Sequence, residues 1–427
     1  MMFKPLSDFT LFADRRDRLL SVLDDVYGFE GPALFLTLAD FEGLRTSFRQ
    51  DSTFYYFTGI TEPAAIGCFY LQGHSTLYIP KFWEQRAMWV TSTIGMSSDP
   101  GHYGFNEIRA LGNAEKSYCF KPLLLEAQYY SFIADITSFI KAGGRIFACV
   151  PTHGFGALLF ERLATWISGF SNALVDVSRD VARLRREKDA YELQLIHAAA
   201  QITALAHEQV AGFIKPGVFE YQVRGLVDYV FASTAAAVPA FPSIVASGYN
   251  ATILHYTDCS QQLQSGDLVV IDCGAEYGNY AADVSRTYPA NGSFTPRQRS
   301  LYEIVLEVQE YIASIARPGM FLCNKEYPDI SLHHQALACF KQYDLDRYFC
   351  HGLGHFLGLD VHDVGDVQEP LSPGDVFTLE PGVYLPHESC GIRIEDDYVM
   401  ADDGAVCLSD ALVKKPDDIE ALMTRSL

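Results

Sequence analysis

Asp272 and Asp283 are two carboxylates set in an otherwise apolar part of the chain. Leu268 to Ile271 is an unbroken aliphatic run, the pattern of a strand buried on both faces, and Asp272 follows it directly. Asp283 lies in the next extended stretch, 280–287. A two-residue turn at Tyr277-Gly278, where glycine accepts a positive φ, sets residue 276 against 279 and Asp272 opposite Asp283. Opposed residues of an antiparallel pair share a face, with Cβ atoms about 4.5–5.5 Å apart. Two ionised carboxylates at that distance in a buried site need a proton or a cation between them. One buried aspartate is explained by a turn cap; an in-register pair points to a metal.

The remaining polar residues in apolar runs extend the set. Glu380 ends the strand-like VFTLE before Pro381-Gly382, and in GIRIED Glu395 shares a face with Arg393 while Ile392 and Ile394 share the other. HGLGHFLGLDVHDVG (351–365) supplies His351, His355 and His362. A lone histidine in such surroundings is a hydrogen-bonded core residue, whereas three beside strand carboxylates shift the reading toward a site. Asp272, Asp283, His355, Glu380 and Glu395 together offer four carboxylates and one imidazole. That donor set suits Mn²⁺, Co²⁺, Fe²⁺ or Zn²⁺, and the lack of thiolates argues against structural zinc. One dication neutralises four carboxylates poorly. Two held about 3.5–4 Å apart balance them, and their chemistry is hydrolysis by an activated water.

Several elements must position these residues. ALFLTLAD (33–40), IGCFYLQGHSTLYIP (66–80, a hairpin around Gln72-Gly73-His74) and GRIFACVP (144–151) read as strands, and 121–144 as a helix stopped by paired glycines. A charged connector near 175–190 leads into a long helix with Leu193, Ile196, Ala200, Thr203, His207, Val210 and Ile214 on one face, ended by Pro216-Gly217. The domain boundary is placed ahead of it, giving domains 1–177 and 178–427. Thr295-Pro296-Arg297-Gln298 is a capping box opening a helix to about Arg317. Segments 375–385 and 391–400 are strand-like. The class is α+β, with an antiparallel sheet around the carboxylates.

Composition narrows the function. The chain of 427 residues carries 32 basic against 53 acidic residues, a net charge of −21. Such a surface repels phosphate backbones and anionic membranes, so neither nucleic acid nor a membrane is an expected partner. No stretch approaches the roughly 18 apolar residues of a span. The N-terminus, MMFKPLSDFTLFADRRDR, lacks a signal-peptide core, and ten scattered cysteines without a C-x-x-C pair fit reduced thiols, so a cytoplasmic enzyme is expected.

The ordered set Asp272, Asp283, His355, Glu380, Glu395 resembles that of the pita-bread metallopeptidases. SGYNATILHYTD, GDLVVIDCGAEYGNYAADVSRTYPANGSFT, HGLGHFLGLDVHDVG, LEPGVYL, GIRIEDD, VKKPDDIEALM and, in the first domain, RQDSTFYYFTGITEPAA (49–65) look like bacterial-type aminopeptidase P. The resemblance implies an N-terminal α/β domain of the creatinase/RNase H-like kind, followed by a pita-bread catalytic domain. It implies an Xaa-Pro aminopeptidase with two divalent ions, Mn²⁺ first and Co²⁺ or Zn²⁺ as alternatives. Asp283 and Glu395 would bridge the ions, Asp272 would hold one, and His355 and Glu380 the other. Glu380 would also move protons between the attacking water and the leaving proline nitrogen, while His255 and His362 would stabilise the oxyanion. His351 and Arg393 would face the proline side. Substrates would be peptides with proline at the second position, and the enzyme a homodimer or homotetramer.

The chain departs from the aminopeptidase P pattern at Gly354, where that group carries Ser and prolidases carry Gly, and at Gln50-Asp51-Ser52-Thr53, in place of an Asn-Ser-Asp motif. Segments 365–373 and 386–391 are also shorter. The nearest rival is a prolidase using the same five ligands. Methionine aminopeptidases generally lack the large N-terminal domain. A non-catalytic binding protein on this scaffold, or a metal-free creatinase-like hydrolase, is disfavoured by the filled ligand positions. His333-His334 is read as a solvated helix face, TFYYFTGI as first-domain core and Cys273 as a packing residue. Glycines 352, 354 and 358 are read as points of close backbone approach.

Overall fold

The computed structural model describes residues 9–28, 30–42, 48–91, 94–115, 119–121, 123–235 and 237–424. The first eight residues of the segment expected to lack a signal-peptide core lie outside that range. The chain divides into two compact units at 185/186, whereas the composition change suggests 177/178.

The first unit comprises α1 (Thr10–Tyr27), β1 (Ala33–Leu38), α2 (Ser52–Thr58), β2 (Ile66–Tyr70), β3 (Ser75–Ile79), β4 (Glu107–Ala110), α3 (Tyr130–Lys141), β5 (Arg145–Ala148), α4 (Gly154–Trp166), α5 (Phe170–Ala173), β6 (Leu174–Asp176) and α6 (Ser178–Arg186). Its strands form one mixed sheet, β4-β3-β2-β1-β5-β6, in which β1/β2 and β2/β3 are antiparallel and the rest parallel. The 66–80 hairpin forms as expected, Phe69 pairing with Ser75. The helix expected over 121–144 is shorter. Leu124 is left-handed at φ 51°, and only a 3₁₀ turn, Glu126–Tyr129, precedes α3. The 49–65 motif is structural. Phe54, Tyr56 and Phe57 are core, Asp51 caps α2 by accepting from the Phe54 N–H, and the Gln50 side chain bonds four backbone groups.

The second unit holds α7 (Ala190–Phe213), α8 (Glu220–Ser233), β7 (Val238–Pro239), β8 (Ile244–Ser247), β9 (Leu268–Cys273), β10 (Ala275–Tyr277), β11 (Tyr280–Ala281), β12 (Val284–Pro289), α9 (Pro296–Ile315), α10 (Leu332–Lys341), β13 (Val376–Leu379), β14 (Gly382–Leu385), β15 (Cys390–Arg393), β16 (Asp396–Ala401), β17 (Gly404–Cys407) and α11 (Pro416–Met423). Short sheets β12-β9-β8, β11-β10-β7, β13-β16-β17 and β14-β15 carry it. One core joins α7, α8 and α9 to these sheets. Small residues Ala199, Ala200, Ala206 and Ala211 let α7 bury more than the single stripe its periodicity suggests. The α9 capping box, Thr295 with Gln298, is formed.

The β9–β12 ladder corrects the expected register. The turn is Gly278-Asn279, both at positive φ (59° and 68°), as a primed two-residue turn requires. Tyr277 therefore pairs with Tyr280, and Asp272 pairs with Ser285 rather than with Asp283. The shift is by two residues, so face parity survives and Asp283 becomes the diagonal neighbour of Asp272 on the same face. Where β9 passes into β10, a Cβ at Gly274 would lie 1.7 Å from the Ala282 carbonyl oxygen, so no other residue fits there.

Candidate metal centre

Each carboxylate sits where a strand stops. Asp272 is the penultimate residue of β9, Asp283 immediately precedes β12, Glu380 separates β13 from β14, and Glu395 separates β15 from β16. Strand ends free the side chain to turn inward while the neighbouring ladder fixes its backbone. The histidine segment is zipped to β13: Thr378 N–H donates to the His355 carbonyl (2.9 Å) and Glu380 N–H to that of Leu353 (2.8 Å). A Cβ at Gly354 would fall 2.0 Å from the Thr378 carbonyl oxygen, which explains glycine there, whereas Gly352 has open space.

A cavity of about 250 Å³ is lined by His255, Asp272, Asp283, His351, His355, His362, Glu380, Arg393 and Glu395, with Leu254, Gly352 and Gly354. All nine residues singled out from the sequence thus meet around one space. One ligand atom each from Asp283, His355 and Glu395 lie within 4.8 Å of one another. His355 Nε2 is 3.5 Å from Asp283 Oδ2 and 3.7 Å from Glu380 Oε1. Its Nδ1 donates to the Phe356 carbonyl at 3.1 Å, which leaves the Nε2 lone pair facing the carboxylates, the tautomer a metal ligand needs.

The electrostatics are those of a site short of cations. Four carboxylates face one guanidinium, and His351 and His355 add no charge at neutral pH. Burial, with the proximity of Arg393 to His351 and of His362 to His355, holds both imidazoles down at about 4. Burial and then Glu395 push the Asp283 carboxyl well above the usual range; burial, Glu380 and Asp272 do the same to Glu395. Glu380 is raised to about 7 by burial, with Arg393 opposing and Asp272 adding. Oδ1 of both Asp272 and Asp283 is buried without a hydrogen-bond partner. Oxygen-rich donors, two orphaned carboxylate oxygens and an imidazole in the right tautomer fit divalent ions.

Sequence patterns alone do not single out every member of the arrangement. Ser285, opposite Asp272, donates to Glu395 Oε2 (2.7 Å) and accepts from Arg393 Nε (2.8 Å). Tyr384 lies between Arg393 Nη1 (3.1 Å) and His351 Nε2 (3.0 Å). Alternation along ADVSRT and GVYL holds the signal, since Ser285 shares a face with Asp283 and Tyr384 with Gly382. Arg393 Nη2 bonds Asp272 Oδ2 at 2.7 Å, so all three guanidinium nitrogens are engaged by protein. His333-His334 is half-buried rather than solvated: His333 packs on Phe349, which packs on His351, and His334 bonds Ser331. Cys273 is buried with Sγ 3.5 Å from His207 Nε2 and its thiol pushed well up by burial, as suits a packing residue.

This fold and centre define a metallopeptidase. Residues 194–402 match metallopeptidase family M24, and residues 12–119 match the aminopeptidase P N-terminal domain. The chain is 34% identical to the Xaa-Pro aminopeptidase of Escherichia coli K12 over 404 residues, 88% of this chain and 89% of that one. It is 27% identical to human Xaa-Pro dipeptidase over 88% and 84% of the two chains. The structure of E. coli aminopeptidase P with the inhibitor Pro-Leu superposes with a TM-score of 0.82 at 29% identity, covering 97% and 98% of the chains. The chain belongs to metallopeptidase family M24, in its bacterial-type aminopeptidase P group, with the two-domain, pita-bread architecture of that group.

Proposed function

We propose that the chain is an Xaa-Pro aminopeptidase, a metal-dependent exopeptidase that hydrolyses the bond between an N-terminal residue and a following proline. The observation that carries this reading is the convergence of four carboxylates and His355 on a cavity with a single counter-cation. Asp272, Asp283, His355, Glu380 and Glu395 would hold two divalent ions, Mn²⁺ first and Co²⁺ or Zn²⁺ next. Bound there, such ions supply an activated water and polarise the scissile carbonyl.

The protein's own groups do the rest. Glu380, on the cavity wall beside His355 and His351, is placed to take a proton from the attacking water and pass it to the departing proline nitrogen. His255 and His362 line the wall where the carbonyl oxygen gathers charge. Ser285, Tyr384 and Arg393 orient Asp272, Glu395 and His351 through the bonds above. The Xaa-Pro bond is a tertiary amide with no N–H and a fixed φ, so clefts that grip an extended backbone handle it poorly. A site anchored on the free amine and the scissile carbonyl needs no such grip, and His351 faces the proline side.

The substrates in this reading are peptides with proline second. The acidic surface favours neither nucleic acid nor membranes, and no described helix is long and apolar enough to cross a membrane. Cytoplasmic residence and a homodimer or homotetramer complete the proposal, the former supported by ten free thiols. A dipeptidase is the second reading, favoured by Gly354, which stands where prolidases carry glycine and aminopeptidase P carries serine.

Metal-stripped protein, with Mn²⁺ restored, is to be given an Xaa-Pro dipeptide and an Xaa-Pro-Yaa tripeptide, following release of the first residue. Metal-dependent cleavage of the tripeptide is expected. Cleavage of the dipeptide alone makes the enzyme a prolidase, and cleavage of neither refutes the hydrolase reading.

A further inference from the structure

The segment that presents His255 has almost no secondary structure of its own. Between the 3₁₀ turn Gly248–Thr252 and β9, residues 253–260 lie in no helix or strand, and His255 itself is exposed. A side chain on such a segment needs an external anchor if it is to act at a fixed point. The anchor is Glu220, the first residue of α8, which is fully buried.

Both Glu220 oxygens are saturated by this one segment. Oε1 accepts from Ser247 N (2.7 Å), Ser247 Oγ (2.7 Å) and Asn250 Nδ2 (3.3 Å). Oε2 accepts from Tyr256 OH (2.8 Å) and Gln261 N (2.8 Å). All five donors are neutral, and the N-terminus of α8 favours the negative charge. The contacts fall at the start of the segment (Ser247, Asn250), beside His255 (Tyr256) and at its end (Gln261), so one carboxylate closes the whole loop. Ser247 also ends β8, whose Ile244 pairs with Asp272, so the anchor refers His255 to the strand that carries a site carboxylate.

We propose that Glu220 is the positioning residue for His255, fixing the 247–261 segment so that the imidazole enters the cavity beside Asp272 and Glu380. The proposal rests on the reading above that His255 acts on the developing oxyanion. It assigns Glu220 an effect on turnover without any contact with substrate or metal. Replacement by glutamine keeps the shape but confronts one set of donors with an amide NH₂, leaving buried donors unpaired.

The test compares Glu220→Gln, His255→Ala and the double variant, all metal-loaded, with hydrogen–deuterium exchange of residues 247–261 read in parallel. The expected result is a fall of about 10²-fold in kcat/KM for Glu220→Gln, carried by kcat rather than KM, as displacement of a reacting group by about 1 Å produces. His255→Ala should fall by a comparable factor and the double variant no further, with faster exchange confined to 247–261. Additive losses, or unchanged exchange in Glu220→Gln, overturn the proposal. Should Glu220→Gln fail to fold, Tyr256→Phe removes one donor only; about a tenfold loss with faster exchange around 253–258 supports the anchor, and neither change refutes it. If the wild type cleaves no Xaa-Pro peptide, the functional reading falls by itself and the exchange data alone decide whether Glu220 holds the segment.

Discussion

Glu395 and Asp396 are neighbours in sequence, both almost completely buried at 2% and 1% exposure, and they occupy opposite electrostatic worlds. Burial raises the Asp396 carboxyl, but Arg286 (2.6 Å) and Lys414 (2.9 Å), with bonds from Gln309 and Ser409, overcome it and hold the group down at about 2. Glu395 has Ser285 as a hydrogen-bond donor and Arg393 at 3.9 Å, shared with Asp272, and its carboxyl is pushed well up. A carboxylate buried with its own cations is part of the scaffold. One buried beside other carboxylates, with too few cations, holds room for ions from outside. The two are coupled, since Arg286 also donates to the Glu395 carbonyl oxygen at 2.6 Å, so the neutralised residue fixes the backbone of the un-neutralised one.

Substitution separates the two roles. Asp283→Asn should reduce divalent-ion binding and peptide cleavage to background while costing little stability, because it removes a charge the metal-free protein tolerates poorly; elemental analysis and a peptide assay read both. Asp396→Asn should do the reverse. It leaves fully buried Arg286 without its counter-charge, at a cost of about 3–5 kcal/mol in urea unfolding, with ion content of the folded fraction retained. Should the Asp283 variant instead lose stability and keep its ions, the contrast is inverted and the assignment is wrong.

Acidity gives a smaller effect with a definite sign. In metal-stripped protein Glu380 titrates at about 7, against the usual 4.5, because of burial and Asp272. A raised folded-state value means the native protein binds more protons than the unfolded chain, so stability falls as pH rises from about 4.5 through 7. The loss is about 3 kcal/mol from this group. Divalent ions should abolish the slope. A metal-stripped protein whose melting temperature rises over that window contradicts the carboxylate crowding.

Much of the site is legible in the sequence. LVVI ending in aspartate announces a buried strand with a charge at its tip, and three histidines in 351–365 complete a donor set. The turn lies one residue later than the sequence suggests, because Tyr277-Gly278 and Gly278-Asn279 both offer glycine. The choice is made by Asn279, which also takes a positive φ, and local sequence does not force that. Segments 375–385 and 391–400 are each broken in two, the first at Glu380-Pro381, where proline offers no N–H to the ladder, and the second at Ile394-Glu395, where no turn residue announces it. Arg286 and Glu220 carry no visible signal either. Apart from the adjacent Ser285 carbonyl, the partners of Arg286 lie over 100 residues away, and those of Glu220 27–41 away, so no short-range pattern marks them. The helix expected from residue 121 yields to a left-handed Leu124, for which the sequence carries no turn signal.

A deficit of positive charge among buried carboxylates marks this cavity as a divalent-metal site. Calorimetric titration of Mn²⁺ into metal-stripped wild-type protein at pH 7, repeated in buffers of different ionisation enthalpy, tests it most directly. Two ions bound per chain are predicted, with protons released as Glu380, Glu395 and Asp283 give up those that crowding retains. No saturable binding, or binding that survives unchanged in Asp283→Asn, would contradict it.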